Sequence, residues 1–390
     1  LSAESLTEID WSLALDGNLL SAEDLERLRT LKSPLVQLRG QWTWLTQENI
    51  ADALNALNRL KAGEVPNEAL LALVSGEYQE ISVDPLIGEG SLVRCLNALT
   101  EGNAPQQTPL PKGFVGVLRP YQERGYAWLS SLADLNLGGC LADDMGLGKT
   151  IQTLVMLQHL YQAGHKLPSL LICPTSVMEN WVREAARFVP DLPLLVHYGA
   201  RRLKGDAFIQ ALEGKALIVS SYALLLRDIG LYGAILWNGV ILDEAQNIKN
   251  PDTRQARAAR SLKSRWRIAL TGTPIENHVG DLWSLMEFLN PGFLGKRERF
   301  QRRFLRTIQI EKDEEASSKL RRMISPFILR RLKTDRDIAP DLPDKIETTV
   351  YCGLKKEQAT LYASVVRELE AHLQDADGII LSILAGSHNG

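Results

Sequence analysis

Leu141-Ala142-Asp143-Asp144-Met145-Gly146-Leu147-Gly148-Lys149-Thr150 stands between a short apolar run, Gly139–Ala142, and a stretch in which Ile151, Leu154, Val155, Leu157 and Leu160 recur at helical spacing. A strand, a glycine-rich turn and a helix in that order form the context of a phosphate-binding loop. Glycines let the backbone amides turn toward an anion, and the amino terminus of the helix adds its dipole. Asp144, Met145, Gly146, Leu147, Gly148, Lys149 and Thr150 are therefore the candidate nucleotide-binding residues. Lys149 can reach the β and γ phosphates, and the Thr150 hydroxyl suits a magnesium ion. One position is out of pattern: Asp143 occupies the place, six residues before the lysine, where such loops carry glycine.

From Arg119 onward, short apolar runs alternate with amphipathic stretches. The runs are Gly139–Ala142, Ser169–Cys173, Leu194–Tyr198, Ala216–Ser220, Gly239–Leu242 and Ile268–Thr271. This alternation predicts an α/β fold, a parallel sheet with helices on both faces, whose ligands bind beyond the carboxyl ends of the strands. Asp243 and Glu244 stand at such an end, where Asp243 is suited to hold hydrated magnesium and Glu244 to orient or deprotonate an attacking water. Lys149, Asp243 and Glu244 form the candidate catalytic set, with Thr150 and Asp243 as the metal ligands. Thr271, Gly272, Thr273 and Pro274 place two hydroxyls at another strand end, where they can sense the γ phosphate or simply form a turn. Pro120 at a first helical position starts a helix with Tyr121, Gly125, Trp128, Leu129 and Leu132 on one face. Gln122 near its start can read an adenine edge, selecting ATP, or can cap the helix.

Charge is distributed unevenly. Residues 1–110 hold 7 Lys and Arg against 16 Asp and Glu, a net of −9, so the remainder carries +6 of the overall −3. Residues 296–336 hold 14 basic and 6 acidic side chains, or +8, and suit a polyanion or a solvated helical surface. No apolar run approaches the length of a membrane span, so a membrane partner is not expected. The four scattered cysteines and the start at Leu1 without a basic, apolar leader are read as a cytoplasmic protein, with Cys140 and Cys173 as buried packing residues. Leu35–Arg39 and Trp42–Leu45 alternate like a hairpin, and Ile50, Leu54, Leu57 and Leu60 follow at helical spacing after Thr46.

In this order the segments LRPYQ (118–122), DDMGLGKT (143–150), LLICPTSVMENW (170–181), LDEAQNIKN (242–250), LTGTPIEN (270–277) and FILRRLKTD (327–335) resemble the Swi/Snf family of double-stranded-DNA translocases in helicase superfamily two. The resemblance covers roughly residues 115–352. It accounts for Asp143, since that family carries an acidic residue there. It also implies a RecA-like lobe, ATP and Mg2+ as cofactors, and duplex DNA as partner. Contact with ATP is implied at Gln122 and at 144–150, and coupling at Gln246, Thr271, Gly272 and Thr273. DNA backbone contact is implied at Pro174, Thr175 and Ser176, at Ser220, Ser221 and Tyr222, at Lys249 and Asn250, and in the basic segment with Arg330 and Arg331.

The expected organisation is an acidic accessory domain at 1–110, a RecA-like ATPase lobe at 111–290, a basic helical insertion at 291–345 and the start of a connection at 346–390. The accessory domain is the candidate surface for a protein partner. The resemblance implies a second lobe bearing catalytic arginines, so the chain reads as an amino-terminal half that binds nucleotide more readily than it hydrolyses it. Two other readings stay open: an RNA helicase of the Asp-Glu-Ala-Asp-box kind, and a non-hydrolysing nucleotide-dependent regulatory module.

Overall fold

The computed structural model describes residues 108–272, 279–335, 353 and 355–375, together with isolated earlier residues that include three hairpins. The chain divides into two compact units, Leu1–Pro340 and Asp341–Gly390.

The first unit is organised by seven parallel strands: β1 (Gly139–Leu141), β2 (Ser169–Cys173), β3 (Leu194–Val196), β4 (Leu217–Ser221), β5 (Leu236–Asp243), β6 (Lys263–Leu270) and β7 (Ile328–Leu329). Their order across the sheet is β7-β1-β6-β5-β2-β4-β3. Parallel pairing needs crossovers that place helices over both faces. The middles of the central strands are accordingly apolar, and Leu170, Leu171, Ile172, Val240, Ile241 and Leu242 are fully buried. Each such side chain contributes about 1.5–3 kcal/mol by leaving water.

The crossover helices start where the sequence supplies helix signals. Helix α1 (Pro120–Asp134) carries Pro at its first position and buries Tyr121, Gly125, Trp128, Leu129 and Leu132, the face expected from their spacing. Helix α2 (Lys149–Gln162) follows the glycine-rich loop, α3 (Thr175–Phe188) follows β2, and α4 (Tyr222–Arg227) follows β4. Helix α5 (Arg254–Ser261) is capped by the Thr253 hydroxyl, which accepts from the Ala256 amide at 3.2 Å. Register then aligns the strand ends. Leu141 pairs with Leu270 and Leu270 with Asp243, while Leu242 pairs with Ile172 and Ile172 with Ser220. A single edge of the sheet therefore collects the residues that follow every strand.

All six expected runs are strands, with ends shifted by up to five residues. Strands β5 and β6 begin earlier, at Leu236 and Lys263, where polar and apolar residues mix and no apolar run is visible. Strand β7 has no counterpart among the expected strands, because two residues inside a basic segment give no periodic signal. The hairpin Leu35–Leu38 with Gln41–Trp44 is present, whereas Thr46, Ile50, Leu54, Leu57 and Leu60 lie outside the described residues.

The basic segment is helical at Arg297–Phe300, Arg306–Gln309 and Glu314–Ile324, and is seated on the sheet unit through Phe300, Phe304 and Phe327. The Trp128 indole donates to Pro326 O at 3.2 Å, and Arg297 pairs with Asp252 at 2.8 Å. In the second unit a helix runs from Lys356 to Asp375. Among the described residues no helix is long and apolar enough to cross a membrane.

Candidate active site

The loop between β1 and α2 turns through two left-handed glycines, Gly146 at φ +83° and Gly148 at φ +80°, conformations that residues with a Cβ rarely adopt. Gly148 is the N-cap of α2, so the free amides of the first helical turn face the end of the sheet. Tyr121 Oη donates to Leu147 O at 3.1 Å and Gln122 Nε2 donates to the same oxygen at 3.2 Å. Gln122 Oε1 accepts from the Arg119 amide at 2.9 Å, so this side chain caps its own helix and props the loop at once. The capping alternative for Gln122 is thus realised, by a carboxamide whose two ends are both engaged.

Lys149 reaches back along the loop and donates from Nζ to Asp143 O at 2.6 Å and to Asp144 O at 3.4 Å. Desolvation lowers its pKa, while the charges of Asp143, Glu244, Asp243 and Asp144 pull the other way. The lysine and the two carboxylates at the end of β5 therefore share one electrostatic environment. Asp243 is raised above the ordinary carboxylate range, first by burial and then by the Glu244 charge. Two contacts oppose that rise: Trp181 Nε1 donates to Asp243 Oδ2 at 2.7 Å, and the Glu244 amide donates to Oδ1 at 2.9 Å.

The backbone of Glu244 is left-handed, φ 51° and ψ 56°, which is uncommon outside glycine and asparagine and turns the chain sharply out of β5. Its Oε2 accepts from Gln246 Nε2 at 2.8 Å, and Gln246 Oε1 accepts from Thr271 Oγ1 at 2.9 Å. A hydrogen-bonded path therefore joins the acidic pair on β5 to the threonine after β6. Thr271 is buried and Gly272 lies against Met145 of the phosphate loop, while Thr273 and Pro274 fall outside the described residues.

Arrangement and chemistry agree for a magnesium nucleotide. The Thr150 hydroxyl and the Asp243 carboxylate are hard oxygen donors of the kind Mg2+ takes, and a half-buried, like-charged pair of carboxylates is an environment that a cation relieves. When bound, the metal would neutralise charge on the phosphates. Loop amides and Lys149 would position the phosphates, and Glu244 would be placed to accept a proton from water.

The residues for which DNA contact was implied divide into two groups. Thr175 and Ser176 are exposed at the first turn of α3, beside half-buried Pro174, and Lys249, Asn250 and Arg330 are exposed. The side chains of Ser220, Ser221 and Tyr222 are instead turned into the protein. Ser220 Oγ donates to His197 O at 3.1 Å, Ser221 Oγ caps α4 by accepting from the Leu224 amide, and Tyr222 Oη donates to Asp243 O at 2.9 Å. All three are buried. Their hydroxyls build the strand end, and Tyr222 holds the turn that follows β5.

Arg331 is likewise corrected: it is buried against the phosphate loop. Its Nε donates to Asp143 Oδ1 at 2.8 Å, and its terminal nitrogens bond Asp143 Oδ2, Tyr121 O and Gln152 Oε1. The partners Trp181 and Gln152 carry no site signal of their own in the sequence.

Residues 121–383 match the model of the SNF2-related domain, and residues 1–74 match that of a family described as SNF2 Helicase protein. The chain is 37% identical over 402 residues to the putative ATP-dependent helicase/translocase YwqA of Bacillus subtilis, covering 97% of this chain and 43% of YwqA. It is 36% identical over 282 residues to the TATA-binding protein-associated factor MOT1 of Saccharomyces cerevisiae, covering 66% of this chain and 15% of that protein. The chain thus spans less than half the length of these relatives. Among solved structures, the Sulfolobus solfataricus SWI2/SNF2 ATPase core in complex with dsDNA is similar with 45% identity and a TM-score of 0.56, over 72% of this chain and 59% of that one. The parallel seven-stranded sheet with its phosphate loop is the RecA-like architecture of that core. With the matched domain covering well over half of its residues, the chain belongs to the SNF2-related family.

Proposed function

We propose that this chain is the nucleotide-binding half of a DNA-dependent ATPase that moves along double-stranded DNA and remodels protein–DNA complexes. The observation that carries the reading is the shared electrostatic environment of Lys149, Asp243 and Glu244, brought from two different strand ends to one edge of the sheet. In it, Lys149 and the loop amides hold the phosphates of ATP, Thr150 and Asp243 hold Mg2+, and Glu244 acts on the attacking water. Gln246, Thr271, Gly272 and Thr273 relay the state of that site, the first two through the hydrogen bonds that join them to Glu244.

Duplex DNA is supported by the exposed Thr175 and Ser176 hydroxyls, Asn250 carboxamide and Lys249 ammonium, by exposed Arg330, and by the similar SWI2/SNF2 core being a complex with dsDNA. Such groups suit phosphates, which position a protein on nucleic acid without reading its sequence. Binding is then salt-sensitive and sequence-independent. Residues 1–110, by charge, are the surface for a protein partner. The acting protein is proposed to work in the cytoplasm.

The test is ATP hydrolysis by the intact protein with and without duplex DNA. Stimulation by duplex DNA, and its loss in Glu244→Gln, are the expected results. Equal rates with and without duplex overturn the reading, and stimulation by single-stranded RNA alone replaces it with an RNA helicase.

A further inference from the structure

Asp143 is fully buried at the neck of the phosphate loop, where an ionised carboxylate without a partner is strongly unfavourable. Its partner, Arg331, comes from 188 residues further along the chain, two residues past strand β7. Arg331 presents its guanidinium as a fork to both Asp143 oxygens, and also donates to Gln152 Oε1 at 2.7 Å. Gln152 Nε2 in turn donates to Gly148 O at 3.0 Å, next to Lys149.

The backbones are joined as well. The Ala142 amide donates to Leu329 O at 2.7 Å, the Asp144 amide to Arg331 O at 3.1 Å, and the Lys333 amide to Asp144 Oδ2 at 2.9 Å. Gly125 on α1 clears the space, since a Cβ there would lie 1.9 Å from Gln152 Oε1 and 2.8 Å from a terminal nitrogen of Arg331. Three separate segments thus converge to hold one loop, while Arg330, one residue before, is exposed to solvent.

From this geometry we propose that Arg331 is a positioning residue for nucleotide binding. Through Asp143 and Gln152 it fixes the amides that receive the phosphates, and strand β7 shifts or stiffens together with the loop when nucleotide binds. The proposal rests on the ATP-binding reading of the loop, and Arg331 itself touches no phosphate in it.

The experiment is titration of the intact protein with magnesium and N-methylanthraniloyl-ADP, alongside thermal unfolding. Arg331→Lys, which keeps charge but loses the fork, and Arg331→Met are expected to raise Kd about tenfold, as removal of a group behind a ligand commonly does. Gly125→Ala, which intrudes on the same cluster from α1, is expected to act in the same direction.

Arg267→Met is the structural control: it removes a buried arginine that bonds Leu262 O and Phe288 O away from the loop, and should lower stability with Kd within about twofold of the parent. Unchanged Kd in folded Arg331→Met overturns the inference. If the Arg331 variants do not fold, hydrogen exchange in the unaltered protein decides it. Nucleotide should slow the Ala142, Asp144 and Lys333 amides together, and exchange at these positions unaffected by nucleotide overturns the proposal. No binding by the unaltered protein overturns the nucleotide reading and this inference with it.

Discussion

Trp181 Nε1, on α3, donates a 2.7 Å hydrogen bond to Asp243 Oδ2 at the end of β5. The indole is buried and the carboxylate largely so, and this bond lowers an Asp243 pKa that burial raises. A hydrogen bond to a charged group is worth about 1.5–3 kcal/mol, and here it favours the ionised form that a metal requires. Trp181→Phe keeps an aromatic ring and removes the donor. We expect it to bind nucleotide with a roughly tenfold higher magnesium requirement, measured as the Mg2+ midpoint of fluorescent nucleotide binding. A magnesium midpoint equal to the parent's would show that the bond only packs α3 against β5.

The path from Glu244 through Gln246 to Thr271 predicts a separation of binding from coupling. Neither Gln246 nor Thr271 lies in the phosphate loop, so Gln246→Ala should leave nucleotide affinity within about threefold of the parent. Stimulation of hydrolysis by duplex DNA should fall about tenfold or more, because the strand-end relay is cut. The measurement is steady-state hydrolysis at saturating ATP across a duplex titration. Equal loss with and without DNA would assign Gln246 to the chemistry at Glu244 alone.

Most of this architecture is legible in the sequence because a parallel sheet buries its central strands on both faces, and runs such as Ser169–Cys173 then stand out. The phosphate loop is legible for a different reason: its glycines and Lys149 answer to local backbone geometry. What stays hidden depends on contacts between distant segments. Strand β7 has two residues and is defined only by its pairing with Cys140 and Leu141. Arg331 has the same local surroundings as exposed Arg330, and only tertiary pairing with Asp143 tells them apart. Ser220 and Tyr222 stand at a strand end like Thr175 and Ser176, yet their burial turns one pair inward and leaves the other open.

Glycines give a stability prediction with opposite signs. A Cβ at Gly138 would lie 2.3 Å from Leu289 O and 2.7 Å from its carbonyl carbon, backbone atoms that cannot swing away. The Gly138 amide and carbonyl are also both bonded to the Asn290 carboxamide, at 2.8 and 3.0 Å. Gly138→Ala should therefore cost about 3 kcal/mol. Gly230 sits in the short helix Ile229–Gly233 with no atom within 4 Å of its would-be Cβ. There alanine restricts only the unfolded chain, and Gly230→Ala should stabilise by about 0.5 kcal/mol. Urea unfolding of both variants checks the contrast, and similar midpoints for the two would contradict the packing argument.

Glu287, on the helix Val279–Leu289, carries a pH prediction away from the nucleotide site. Burial raises its carboxyl pKa above the ordinary value, against the Gly292 amide bond and the charges of Arg260 and Arg267, which pull it down. A raised carboxyl pKa means that the folded state holds its proton at a pH where the unfolded chain has released it. Stability is then lost as pH rises from the ordinary carboxylate value through the raised one, and the deficit persists above. Glu287→Gln keeps an oxygen to accept from the Gly292 amide at 3.0 Å while removing the half-buried charge. Near pH 4, where both states are largely protonated, variant and parent should unfold at about the same temperature. At about pH 7 the variant should unfold some 2–4 °C higher, the shift that about 1 kcal/mol produces in a unit of this size. A parent more stable than the variant at neutral pH would mean that the attraction of Arg260 and Arg267 outweighs the desolvation of Glu287.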